Sequence, residues 1–116
     1  MVCIFCEISK GRVYTNFIYQ NRNFFSIPDS NPQVEGHSLV ISKKHFDGFL
    51  DLKAKLGEDL VDCIKNTGLI LMRKLDASGF KLSNTSFNDF RPHIDHFHVH
   101  IFPEKEEDSS SFNVRF

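Results

Sequence analysis

Four of the six histidines lie between positions 93 and 100, in the run His93-Ile-Asp-His96-Phe-His98-Val-His100, followed by Ile101-Phe-Pro103. Side chains on a strand alternate faces, so His96, His98 and His100 project to one side and Phe97, Val99 and Ile101 to the other. Successive imidazoles then stand about 7 Å apart along the strand. Such a row makes a poor core and a good reactive surface, and the strand fixes its spacing. Neutral imidazole serves as nucleophile, base or metal ligand. His-x-His on a strand is also a chelating arrangement, and the bland alternative is three solvated histidines on an exposed face. A second chemical pair, Cys3-x-x-Cys6, fits a metal clip, with two free, partly buried thiols as the alternative. Cys63 stands apart and reads most simply as a small core residue.

These side chains need elements to hold them. The run 95–102 reads as a strand closed by Pro103, and Phe80 to Ser83 as the strand before it. Upstream, Asn16-Phe-Ile-Tyr19 and Asn23-Phe-Phe-Ser-Ile27 are aromatic and β-branched between polar residues, which predicts two more. Pro28 to Pro32, with Asp29, Ser30 and Asn31 inside it, is a loop by its turn chemistry. Gly36 opens another strand, His37-Ser-Leu-Val-Ile41. Between 49 and 75, Leu52, Leu56, Leu60 and Ile64 recur every four residues and give one apolar helix face. Gly57 divides a short leading helix from the main one. Gly68 weakens the middle without breaking it, and Gly79 marks the C-terminal stop. Strands, a long helix and then strands predict an antiparallel α+β domain, whose last strand is too apolar to be an exposed edge.

Composition bounds the rest. The chain has 116 residues, of which 41% are hydrophobic and 25% charged. That is one globular domain, long enough to bury a core without disulfides. With 13 Phe and no Trp, the core should be Phe-rich. A net charge of -1 argues against a nucleic-acid partner. No apolar run approaches a membrane span, and the N-terminus lacks the layout of a signal peptide. A cytoplasmic protein is the default, and an odd cysteine count there argues against a disulfide framework. The domain is expected over 1–103. The charged tail, 104–116, ends in Phe112-Asn-Val-Arg-Phe116, which reads either as a docking segment for a second subunit or as a frayed terminus.

The pattern His96-Phe-His98-Val-His100-Ile-Phe102 resembles the signature of the histidine triad family of nucleotide hydrolases and transferases. Cys3-Ile-Phe-Cys-Glu-Ile8 with Gly11 looks like that family's opening. Asp29-Ser-Asn-Pro32 with Gly36-His-Ser-Leu-Val-Ile-Ser-Lys-Lys-His45 looks like its middle block. The resemblance implies an antiparallel sheet of about five strands with one long and one short helix, paired as a homodimer with a continuous sheet. It implies that His98 attacks the α-phosphorus of a purine nucleotide or nucleotide conjugate, forming a nucleotidyl-histidine that water hydrolyses. A hydrogen bond to the other ring nitrogen selects the attacking tautomer. His100 would contact the phosphate and His96 would support the row. His37 is either a supporting active-site histidine or a buried structural one. Asp29 matches the acid that holds the ribose hydroxyls, and Ile4, Phe5, Ile8 and Ile27 match the apolar slot for the base, or plain core. Cys3, Cys6, His45 and His96 match the ligands of a structural zinc. No organic cofactor is implied.

The chain departs from the family before the triad. Asn84 matches, with an offset of about one position, the loop Asn that holds phosphate. Arg91-Pro92 replaces a Gly-Gln pair, which removes a flexible backbone approach and an N–H donor. Arg91 offers its donors in exchange. His93 stands where a Ser or Thr commonly meets the leaving group, so it reads as a proton donor or a spare zinc ligand. His100, rather than Gln, favours the hydrolase branches over the uridylyltransferase branch. A nucleotidyl phosphoramidase leads; a nucleotide-binding scaffold with little turnover and a dinucleoside polyphosphate hydrolase are its rivals. A zinc-dependent nucleic-acid binder is disfavoured, because the Cys and His pairs lie too far apart for a compact finger. Metal hydrolysis at the triad would require loss of activity with chelator and no covalent adduct.

Overall fold

The computed structural model describes residues 3–86 and 95–106. Five strands, β1 (Tyr19–Gln20), β2 (Phe24–Pro28), β3 (Ser38–Ser42), β4 (Gly79–Ser83) and β5 (His98–Glu104), form one antiparallel sheet in the order β1-β2-β3-β5-β4. β5 therefore lies inside the sheet, as its apolar content requires. Its exposure alternates along the whole strand. Phe97, Val99 and Ile101 pack with Phe24 and Val40 against Cys63 and Leu71 of the long helix α2 (Gly57–Leu75).

The opposite face carries a second core. Phe25, Ile27, Leu39 and Ile41 pack against Phe5 and Ile8 of α1 (Ile4–Ser9). Covering on both sides explains why all of β3, and all of β2 except Pro28, is buried. A six-residue helix is too short to show an apolar period, and the sequence does not announce α1.

Several boundaries differ from expectation. The first strand is Tyr19–Gln20 rather than 16–19, and β5 begins at His98 rather than at 95, so His96 lies just before it. The leading helix before Gly57 is instead two 3-10 turns, Phe49–Asp51 and Ala54–Leu56, because Leu52 and Lys53 between them are extended. The helix stop is Asp76, left-handed at φ 53 and ψ 42, while Gly79 opens β4. Its side chain is short and polar, which makes the left-handed conformation tolerable. Pro103 sits inside β5 rather than closing it. It pairs with Phe80 of β4, beyond the last rung shared with β3 (Ser38 with Ile101), so its missing donor breaks no ladder bond on that side.

Two glycines position the rest. A Cβ on Gly68 would run into the ring of Phe80, so β4 seats an aromatic ring in a notch of α2. Gly36 has φ +83 and lets the chain turn into β3 directly before His37.

Candidate active site

His98 Nδ1 lies 2.7 Å from the carbonyl oxygen of His96. A carbonyl only accepts, so Nδ1 carries a proton, and in the neutral ring the lone pair is on Nε2. Phe5 of α1 sets its ring edge-on to His98, at 5.3 Å between centroids. The ring is therefore held by one polar contact and one apolar wall.

The next side chain on the same face has the opposite tautomer. The backbone N–H of Gln33 donates to His37 Nδ1 at 3.1 Å. Neutral His37 then carries its proton on Nε2, which lies 2.9 Å from His100 Nδ1. His100 Nδ1 accepts, and its own proton sits on Nε2. The two neighbours, with ring centroids 5.2 Å apart, thus offer one lone pair and one N–H donor. Burial lowers the pKa of both His37 and His100 below the usual imidazole range. For His100 the neighbouring His98 and His37 add to this, and Asp29 opposes it in both. Asp29 Oδ2 lies 3.4 Å from His37 Nε2, and its Oδ1 accepts the N–H of Asn31 at 2.8 Å. Phe102 stacks on His100 (5.7 Å, 11°) and lies tilted against His37 (4.3 Å, 31°), so one ring touches both.

His98 and His100 open into a cavity of about 430 Å³, a size suited to a small molecule. Ile4, Phe5, Ile8, Ile27 and Leu39 line its apolar part, and Asp29 stands at the polar end with the two histidines. The structure thus brings together every apolar residue singled out from the sequence, the acid and two of the three triad histidines.

His96 stands apart from that row. It precedes β5 and is 1% exposed. Its Nε2–H donates to the carbonyl of Ser42 at 2.7 Å, so its Nδ1 lone pair faces Cys3 Sγ at 3.3 Å and Cys6 Sγ at 3.4 Å. His45 repeats the arrangement: Nε2–H meets Asp47 Oδ1 at 2.9 Å, and Nδ1 lies 3.2 Å from Cys6 Sγ. The four donor atoms of Cys3, Cys6, His45 and His96 all lie within 4.8 Å of one another. In a tetrahedral zinc site, sulfur and nitrogen ligands stand about 3.6 Å apart. Two thiols, two imidazoles with their lone pairs turned inward, and an outer oxygen acceptor on each ring fit a divalent metal. Burial keeps His96 neutral by pushing its pKa down. Burial, and then Cys3, push the Cys6 thiol up, a penalty that a bound cation removes.

Asn84 does not line the cavity among the described residues. Its side-chain amide donates to the His98 carbonyl at 2.8 Å and so braces the strand. Arg91 and His93 lie outside the described residues. Cys63 is fully buried and its thiol is pushed up to about 11 by desolvation, as suits a core residue. The sequence reading missed Phe102, Asp47, the Ser42 carbonyl and the Gln33 N–H. Phe102 was findable, since it shares the parity of His98 and His100 along the strand.

Comparison with known proteins agrees with this geometry. A family model described as "Scavenger mRNA decapping enzyme C-term binding" matches residues 2–114. An uncharacterised HIT-like protein of Methanocaldococcus jannaschii is 30% identical over 107 residues, covering 92% of this chain and 82% of that protein. A protein named adenosine 5'-monophosphoramidase from Saccharomyces cerevisiae is 28% identical over 107 residues, covering 92% of this chain and 65% of that one. The crystal structure of a hypothetical histidine triad nucleotide-binding protein from Sulfolobus tokodaii superposes with a TM-score of 0.82 at 33% identity, covering 90% of this chain and 70% of that one. With His98 and His100 held in complementary tautomers at the mouth of one cavity, and with matches running nearly the whole chain, this protein belongs to the histidine triad family.

Proposed function

We propose that this protein cleaves nucleoside 5'-phosphoramidates, or closely related nucleotide conjugates, at the α-phosphorus through a covalent nucleotidyl-His98 intermediate. The observation that supports it most is the His98 Nδ1 to His96 carbonyl bond, which puts the lone pair of the neutral ring on Nε2, on a side chain lining the cavity. Nε2 forms a bond to phosphorus, and the P–N bond to the leaving amine breaks. The amine departs with a proton, for which His93 is the proposed donor. Water then attacks the phosphorus and gives a proton back to His93, the bond to Nε2 breaks, and the nucleoside monophosphate and neutral His98 are released. The Nε2–H of His100 is proposed to donate to a phosphate oxygen as charge builds there. Asp29 is proposed to take the ribose hydroxyls, and the Ile4, Phe5, Ile8 and Ile27 slot a purine. Arg91, and Asn84 through the strand it braces, are proposed to act on the phosphate side.

We propose zinc as the metal of the Cys3, Cys6, His45 and His96 cluster. When bound, it clamps α1 to the segment before β5 and takes no part in the chemistry. A second copy of the chain is the proposed protein partner, joined along β4, the sheet edge that exposes Leu82. Reduced thiols at Cys3 and Cys6 suit a cytoplasmic setting. The experiment is turnover of a fluorogenic adenosine 5'-phosphoramidate by the wild type and by a folded His98→Ala variant. Hydrolysis by the wild type and silence of the variant are expected. An inactive wild type that still binds the nucleotide would favour a scaffold, and cleavage only of dinucleoside polyphosphates would move the substrate class.

A further inference from the structure

His96 has two attachments that belong to different parts of the molecule. Its ring faces both sulfurs, Cys3 at 3.3 Å and Cys6 at 3.4 Å. Its backbone carbonyl holds His98 Nδ1 at 2.7 Å. Phe5 makes a second link. It lies between the two cysteines in sequence and sets its ring edge against both His96 (5.7 Å) and His98 (5.3 Å). The sulfur pair and the ring beside the cavity are therefore linked by one backbone contact and one aromatic contact.

We propose that Cys3 and Cys6 are a reversible oxidation site, and that their disulfide releases His96 and Phe5 and so unpins His98. Both thiols are partly exposed, whereas Cys63 is sealed in the core. Cys3 caps α1 and Cys6 lies in its first turn, with the Cys6 N–H 3.4 Å from Cys3 Sγ. Positions three apart in a helical turn have Cα atoms about 5 Å apart, inside the range a disulfide accepts. The oxidant is a peroxide. One thiolate attacks the peroxide oxygen and a proton is taken up from solvent, giving a sulfenic acid and water. The second thiol displaces water from that sulfur, so two thiols and one hydrogen peroxide give one disulfide and two waters. A small dithiol reverses the step by two exchanges. The disulfide draws the sulfurs from about 3.8 Å, their separation as tetrahedral metal ligands, to about 2.05 Å. It also removes two of the four metal donors and the partners of His96 Nδ1. The effect on His98 is positional, because neither sulfur touches the cavity.

The test uses the metal-loaded full chain treated with hydrogen peroxide and then with dithiothreitol. Three readouts are followed: disulfide mapping by mass spectrometry, metal release to a chromogenic chelator, and the ring nitrogen signals of His98 by NMR. The expected result is a Cys3–Cys6 disulfide formed in step with metal release, loss of the single His98 tautomer, and reversal by dithiothreitol. Phosphoramidate turnover, which alone rests on the proposed function, should fall at least about tenfold, as when a supporting ligand contact is lost. Cys63→Ser should keep the whole response, and Cys3→Ser should lose it. Two results overturn the proposal: no Cys3–Cys6 disulfide, or a disulfide that leaves the His98 signals unchanged. If the protein proves inactive on phosphoramidates, the NMR readout still decides the question.

Discussion

Replacing His37 tests the tautomer relay. His37 is 2% exposed, and its Nε2–H is 2.9 Å from His100 Nδ1. His37→Leu deletes that donor and leaves a half-buried ring nitrogen without its partner. Losing such a partner costs about 1–3 kcal/mol, which corresponds to roughly 5- to 150-fold in rate when the contact matters in the transition state. His37→Gln keeps an N–H close to the position of Nε2. We expect kcat for a phosphoramidate to fall about 10- to 100-fold in His37→Leu, with KM little changed, and His37→Gln to stay within about fivefold of wild type. Ring nitrogen NMR should show the His100 proton on Nε2 in wild type and His37→Gln, and a tautomer mixture in His37→Leu. Equal losses in the two variants, or a wild-type rate in a folded His37→Leu, would refute the relay.

Gly68→Ala should destabilise the fold by about 1 kcal/mol, the overpacking against Phe80 outweighing the gain in helix propensity; thermal melting checks it, and adding Phe80→Leu should restore the loss. Stability should be flat above the ordinary imidazole value of 6.5 and fall as pH drops below it. There the unfolded chain binds protons that His37 and His100 refuse, with at most about 1.4 kcal/mol per pH unit from each. Urea midpoints between pH 5 and 8 measure this, and a shallower slope is expected in His37→Gln. Asp47→Ala removes the acceptor that orients His45, at 2.9 Å, and should weaken metal binding by about tenfold or more in a competition titration. His93→Ala should slow substrates with basic leaving amines more than those with acidic ones; equal slowing would count against its role as proton donor.

The parts of this molecule that repeat were readable in advance. Val99 and Ile101 alternate with His98 and His100, which placed β5 inside the sheet and aimed two imidazoles away from α2. Leu60 and Ile64 marked the α2 face, although the same spacing ran on upstream to Leu56, in a 3-10 turn, and Leu52, in extended backbone. What escaped has no periodic signature. α1 is six residues long. The helix stop fell to Asp76 rather than Gly79, because a short polar side chain can also take the left-handed turn. The tautomers of His96 and His37 are set by the Ser42 carbonyl and the Gln33 N–H, backbone groups that every residue possesses. The cluster of Cys3, Cys6, His45 and His96 was found through family resemblance, since its members are as much as 93 positions apart.

The attack by His98 itself is tested by rapid quenching of the protein with a nucleoside phosphoramidate, followed by mass spectrometry of the intact chain and its peptides. A nucleotide adduct is expected on the peptide containing His98, forming before product, lost on acid treatment and absent in a folded His98→Ala. Turnover without any adduct, or an adduct that persists in that variant, would contradict it.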